Sequence, residues 1–581
     1  MKPTFALSVI SICLLSACTS SNVSTAVKET PVKTAPQVSN KSEGESQMVV
    51  DAAADISDKK VAASVSAPKY AMSPMPVMRM QEVPMPSLVE NTEKYQHQEK
   101  HGVMRVQDQP VSTFSIDVDT GAYSNVRRFI QQGELPPADA VRVEEMVNYF
   151  PYQYALPAAT SKEQFVPFGV QTEIAPAPWN AKHQLLKIGI KASDVAKETM
   201  PPVNLVFLVD VSGSMESPDK LPLLKKALKL LTHQLRPQDS ISLVTYASGT
   251  KVVLRPGHTP AEVNQAIDEL VAGGGTNGAS GIDLAYSLAE SAFKKEGINR
   301  IVLATDGDFN VGVTRFETLK DKVAEKRKSG ISLTTLGFGQ GNYNDQLMEQ
   351  LADAGDGQYA YIDNLNEAQK VLVDQFTSSM VVVAKDVKLQ LEFNPSVVKE
   401  YRQIGFENRA LKAEDFKNDQ VDAGEIGAGH TVTALYEITL AEEAGDLPEY
   451  RYDANKKGAT TNRAQTPNEL AYLKLRYKLP QASTSKEVSL PITRASMKSA
   501  SSASTDFQFA AAVAAFGDYL GNQGKYLNQM TLTDIEQLAN RSKGADPFGY
   551  RAEFVRLVHL SKELTARVSK QEKVAKTMMA E

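Results

Sequence analysis

Two almost unbroken apolar runs, residues 203–209 (Val-Asn-Leu-Val-Phe-Leu-Val) and 301–304 (Ile-Val-Leu-Ala), read as strands buried on both faces. Around them strand and helix patterns alternate as far as residue 380. The segment 218–235 is amphipathic, with Leu221, Leu224, Leu228 and Leu231 on its buried stripe. Lys220, Lys225, Lys226 and Lys229 fall largely outside that stripe and read as a solvated face. Further strands are predicted over 240–246, 250–254, 300–305, 331–338 and 359–362. Helices are predicted over 260–271, 280–293, 315–329, 343–354 and 365–376. The pattern is that of an α/β protein with a doubly wound, mostly parallel sheet, whose ligand crevice lies beyond the carboxyl ends of its strands.

On both sides of this unit the period changes to two. Val387, Leu389, Leu391 and Phe393 alternate with polar neighbours, as do Val432, Ala434, Tyr436 and Ile438, and then Ala471 to Leu479. Before the unit, 170–174 and 186–190 alternate in the same way. Antiparallel strands with one wet face fit. The connections into the α/β unit are short, so the flanking strands are expected to pair into one antiparallel β-sandwich with the α/β domain inserted between them. Helices are expected over 123–132 and 142–149, and, packed on the sandwich, over 507–520, 533–540 and 548–570. The expected domains are 1–17 (leader), 18–95 (tether), 96–200 (helices and first sandwich strands), 201–382 (α/β), 383–480 (sandwich) and 481–581 (C-terminal helices).

Composition changes the picture mainly at the amino terminus. Residues 19–95 are Ser, Thr, Ala, Pro, Lys and Glu with few aromatics, a mixture that cannot bury enough surface to fold and is expected to be a disordered tether. Residues 5–15 are apolar but too few to span a bilayer as a helix, and no other run reaches the roughly 18 residues a span requires. The chain has two cysteines, Cys13 and Cys18, both in the first 18 residues, which leaves no thiol for a disulfide, metal or nucleophile in the body. Met72, Met75, Met78, Met80 and Met85 could offer thioethers to Cu(I); a Pro/Met linker is the preferred reading. With a formal net charge of -6 the chain offers no basic field for nucleic acid.

The candidate chemistry sits at the strand ends. Asp210-Val-Ser212-Gly-Ser214 follows the first buried strand, Thr276 lies in a Gly-rich loop, and Asp306 ends the 300–305 strand. Carboxylates and neutral hydroxyls on tight turns suit a small hard cation, Mg2+ above all, with Mn2+ or Ca2+ as alternatives. Asp308 could stand behind Asp306 or serve only its own turn. Asp117-x-Asp119-x-Gly121 is incomplete as a calcium loop, and a helix-capping turn is expected there. The seven histidines are scattered, and no HExxH, GxSxG or phosphate-loop spacing occurs, so catalysis is not expected.

The three pieces Asp210-x-Ser212-x-Ser214, Thr276 and Thr305-Asp306-Gly307 resemble the metal-ion-dependent adhesion site of the von Willebrand factor type A (VWA) domain, matching it at Asp210, Ser212, Ser214, Thr276 and Asp306. The resemblance implies a divalent cation with one open position, filled by an Asp or Glu of a partner protein. It also implies that the helix over 365–376 shifts when ligand binds. Leu15-Ser-Ala-Cys18 is similar to the lipobox of bacterial lipoproteins, which implies lipidation of Cys18; Thr19, in place of Asp, implies the outer membrane. Together with 114–129 and 142–150, the chain resembles bacterial lipoproteins that carry a central VWA domain and a C-terminal domain of unassigned function. The expected function is capture of a protein ligand at the envelope. The alternatives are a scaffold with a purely structural metal and a Mg-dependent hydrolase.

Overall fold

The computed structural model describes residues 91–157, 165–308, 316–448 and 468–580. Cys18 and the methionines of 72–85 lie outside them. The described chain begins with strands β1 (Met104–Arg105) and β2 (Val111–Ser115), helices α1 (Gly121–Gln131) and α2 (Val143–Asn148), and strands β3 (Phe168–Ala177) and β4 (Asn180–Ala192).

The α/β unit follows: β5 (Val203–Asp210), α3 (Leu221–Thr232), β6 (Ser240–Tyr246), β7 (Thr250–Leu254), α4 (Pro260–Asp268), α5 (Gly278–Ser291), β8 (Ile298–Thr305), α6 (Phe316–Lys326), β9 (Ser332–Phe338), α7 (Asp345–Ala354), β10 (Tyr359–Ile362), α8 (Leu365–Gln369) and α9 (Phe376–Met380). Its sheet runs β10-β9-β8-β5-β6-β7, parallel except for the edge strand β7. Every residue of β5 is buried, and its two faces serve different cores. Val203, Leu205, Phe207 and Val209 pack with Leu224 and Leu228 of α3, while Val206 and Leu208 pack with Ile282 of α5 and Met348 of α7. Because β6 and β8 both pair with β5, strand order reverses there, and that reversal opens the crevice at the carboxyl ends of β5 and β8.

The helix expected over 365–376 is broken. After α8, residues Lys370–Asp374 form a π-helical turn, and α9 carries the chain on to Met380. The wide turn places Lys370 inward, where its Nζ donates to the Tyr149 carbonyl at 3.0 Å.

The remaining elements are β11 (Val382–Phe393), β12 (Val398–Ile404), β13 (Ala410–Leu411), β14 (Ile426–Gly427), β15 (Thr431–Leu440), β16 (Glu469–Lys478), β17 (Lys486–Thr493), α10 (Thr505–Asn522), α11 (Leu532–Arg541) and α12 (Tyr550–Ala580). The α/β domain is inserted in a sandwich, as its flanks suggest. One sheet is β1-β12-β15-β4-β3 and the other β13-β2-β11-β16-β17. In the first, β4 from before the insertion pairs antiparallel with β15 from after it, Ile188 facing Ala434. In the second, β2 pairs with β11, Phe114 facing Leu389. Phe114, Ile188, Leu389, Tyr436 and Leu473 share one core.

Strand β17 extends the sandwich past residue 480 into the stretch expected to be helical. It is an edge strand carrying Pro491, and a signal for it was present in the sequence: Val488, Leu490 and Ile492 alternate and face the sandwich core. The C-terminal helices pack mainly on α1 and α2 rather than on the sandwich alone. Tyr123, Met146, Phe150, Phe509, Phe516 and Phe554 form one core with Leu185, Ile404 and Leu435 of the sandwich. Capping defines two of these helices: Ser504 accepts from Phe507 N, and Thr531 and Asp534 form a capping box. Among the described residues no helix is long and apolar enough to cross a membrane.

Candidate metal centre

Asp210 ends β5 fully buried, and both its oxygens are engaged. Oδ1 accepts from Ser212 N at 2.9 Å, which makes the tight turn, and Oδ2 accepts from Thr305 Oγ1 at 2.6 Å across the β5–β8 pair. The turn presents Ser212 and Ser214 together, their hydroxyls 3.1 Å apart. The Thr276 loop is fastened to this turn by the backbone. Gly273 N donates to Val211 O at 2.8 Å, and Gly213 N donates to Gly274 O at 2.9 Å. Asn277 N donates to Ala247 O at 2.8 Å, which leaves Thr276 itself buried between the two anchors. Asp306, next to Thr305 and fully buried, accepts from Asp308 N at 3.1 Å on Oδ1. Asp210, Ser212, Ser214, Thr276 and Asp306 therefore come from three separate stretches to the same carboxyl edge of the sheet.

Two further residues belong to this edge. Lys220, expected on a solvated face, is 6 % exposed, and its Nζ donates to Asp306 Oδ2 at 3.0 Å and to Asn342 Oδ1 at 2.7 Å. Asn342 Nδ2 in turn donates to Asp306 Oδ2 at 3.0 Å. Lys220 precedes the first turn of α3 and so escapes the stripe that Lys225 and Lys229 obey; those two reach Asp268 at the partly exposed surface. A signal was present in the sequence: Gly339-Gln-Gly-Asn342 follows β9 at the same edge as Asp306.

The loop carrying Asn342 is braced by residues expected to be tether. Thr92 N donates to Gly341 O at 2.7 Å, Lys94 N to Tyr343 O at 2.9 Å, and Gly341 N to Glu93 Oε1 at 2.8 Å. Glu93 is itself held by Arg128 at 2.8 Å. The folded part of the chain thus begins before residue 96.

The donor set fits a hard dication: hydroxyls from Ser212, Ser214 and Thr276 beside two buried carboxylates. Burial pushes Asp210 up to about 6, and the Asp306 charge adds to it against the bonds from Thr305 and Ser212. Burial, then Asp306, also raises Asp308. Crowded carboxylates of this kind favour a cation, and Lys220 supplies one positive charge where a dication would supply two more.

A second acidic cluster already holds a guanidinium in its midst. Asp117, Asp119 and Asp353 bring carboxylate oxygens within 4.8 Å of one another. The Arg409 guanidinium lies among them, 2.7 Å from Asp353, 3.2 Å from Asp119 and 3.7 Å from Asp117. No side chain caps α1; instead Asp119 accepts from Tyr359 N at 2.8 Å, tying the segment to β10. Residue 121 must be glycine for that approach, since a Cβ there would lie 2.3 Å from the Tyr359 ring.

The inserted domain and its edge are those of a VWA domain. The VWA family model matches residues 204–375, a second model, von Willebrand factor, matches 89–187, and a third, "Uncharacterized protein YfbK, C-terminal", matches 378–564. VWA domains typically mediate protein–protein interaction and commonly bind a divalent metal at this motif. The chain is 48% identical over 478 residues to the uncharacterized protein YfbK of Escherichia coli (strain K12), covering 82% of each, and it belongs to the YfbK family. It is also 28% identical over 247 residues to the uncharacterized protein sll0103 of Synechocystis, covering 42% of this chain and 57% of that one. Among solved structures it is similar to a von Willebrand factor type A protein from Catenulispora acidiphila, with a TM-score of 0.37 and 17% identity over 67% of this chain and 89% of that one.

Proposed function

We propose that the protein is a non-catalytic receptor, anchored at the bacterial outer membrane through a lipid on Cys18, that captures a protein ligand at the Asp210–Asp306 edge. The observation that supports this most is the convergence of three hydroxyls and two buried carboxylates at the strand-order reversal. A divalent cation there, Mg2+ above all, would supply an electrophilic position for an Asp or Glu of the partner. Ser212, Ser214 and Thr276 would hold it as neutral donors, while Asp210 and Asp306 balance charge. No histidine or cysteine takes part in the hydrogen bonds of this edge among the described residues, so it offers no general base beside the carboxylates.

The last helices of the domain are the coupling element in this reading. Arg127 of α1 binds Asp363 and, at 2.8 Å, Glu367 of α8, and it reaches Glu553 of α12 at 3.0 Å. A shift of α8 would therefore be felt in both neighbouring units.

The test is affinity capture from envelope fractions in Mg2+, compared with chelator and with Thr276→Ala, alongside hydrogen exchange over 365–380. A partner lost in both comparisons, with unchanged melting and with exchange in 365–380 slowed by ligand, supports the receptor. Lower stability without any metal-dependent partner would leave a scaffold with a structural ion.

A further inference from the structure

We infer that Lys220 sets the charge of the metal centre, weakening its hold on the cation and strengthening its attraction for an anionic ligand. This rests on the receptor reading above. The side chain is built into the fold rather than laid over it. Its stem crosses Gly339, where a Cβ would lie 2.3 Å from Lys220 Cε and 2.4 Å from Cγ. Gly339 has φ +78°, a region glycine enters freely, so the chain turns there with no side chain in the path of the lysine. At the far end the ammonium is pinned by Asp306 Oδ2 at 3.0 Å and Asn342 Oδ1 at 2.7 Å. Packing of the stem holds the charge in place whether or not a cation is bound.

The consequence follows from counting charges. Asp210 and Asp306 contribute two negative charges and Lys220 one positive, so a bound dication leaves the group at +1; without Lys220 it would be neutral. Asp308 adds the same charge to both cases and does not alter the difference. An ammonium sharing a carboxylate with a dication repels it, and the same ammonium attracts an incoming carboxylate. One residue therefore trades metal affinity for ligand affinity. A purely structural lysine would change both in the same direction.

The experiment uses the full-length protein and two probes, Mn2+ followed by the paramagnetic signal of the free ion, and acetate followed by water-proton relaxation of the Mn2+-loaded protein. Lys220→Met is expected to bind Mn2+ on the order of tenfold more tightly and acetate several-fold more weakly. Asn342→Asp, isosteric and partly exposed, adds one negative charge beside the same pair and is expected to move both affinities the same way. It keeps the test intact if Lys220→Met folds poorly. Equal or weaker Mn2+ binding in both variants, or acetate binding that is unchanged or tighter, overturns the role of Lys220 while leaving the receptor reading standing. A wild-type protein that binds no Mn2+ overturns both.

Discussion

Replacing Arg127 by methionine should separate the three parts of the molecule more than any other single change in α1. Arg127 is 2 % exposed and holds three carboxylates from two other segments: Asp363 and Glu367, 5 % and 1 % exposed, and Glu553, 22 % exposed. It also donates to Tyr149 Oη at 2.9 Å. Removing one partner of a buried ion pair costs about 3–5 kcal/mol, because the charge left behind has lost its water as well as its counter-ion. Glu553, partly in contact with water, adds little. The loss should depend on pH. Burial pushes Glu367 up, but Lys370 and Arg127 outweigh it and hold its carboxyl below the usual range. In the wild type this carboxylate contributes stability above its unfolded pKa, near 4.5, and loses it as pH falls through the folded value. In Arg127→Met the folded pKa values of Asp363 and Glu367 rise, so the variant is penalised increasingly as pH climbs above 4.5. Urea unfolding of both proteins at pH 5 and pH 8, with hydrogen exchange in α8 and α12 as the local readout, measures this. A deficit below about 1 kcal/mol, or one equal at both pH values, would refute the reasoning.

Gly339→Ala should displace Lys220, since the added Cβ lies 2.3 Å from Cε and the backbone is left-handed; a loss of about 1–3 kcal/mol in chemical denaturation is expected, and melting equal to wild type would contradict it. Burial pushes Lys370 down to about 7, with the Glu367 charge opposing. Between that value and its unfolded pKa near 10.4 the unfolded chain binds the extra proton, so this group makes stability rise with pH. The stability of wild type relative to Lys370→Met should therefore climb between about pH 7 and pH 10, by roughly 1.4 kcal/mol per unit at its steepest, and a flat difference would contradict it.

Much of this protein is written in local periodicity. A run such as 203–209 can be buried on both faces only in a covered parallel strand, and the change to period two on either side marks the sandwich that encloses the inserted domain. The five positions of the candidate site are legible for a related reason. Asp210, Ser212, Ser214 and Asp306 lie within a few residues of the ends of β5 and β8, so strand order is enough to bring them to one edge. Thr276, on the loop before α5, reaches it through that loop's backbone bonds to Val211, Gly213 and Ala247.

What escapes such reading depends on partners distant along the chain. Strand β17 owes its place to pairing with β16; its own alternation, Val488, Leu490 and Ile492, is only three apolar positions long. The turn that breaks the helix at 370 belongs with a bond to Tyr149, 221 residues away. Lys220 is the sharpest case. Its neighbours in sequence are solvated lysines, and only the crossing over Gly339 and the approach of Asp306, 86 residues on, turn it into a buried charge. The sequence by itself determined most of the strands and helices, that one domain sits inside another, and five oxygen-bearing residues as candidates for one edge of the sheet. Tertiary structure alone decided which charges are paired and buried, because the free energy of an ion depends on the water it has lost and the counter-ion it has gained, and neither is a property of its neighbours along the chain.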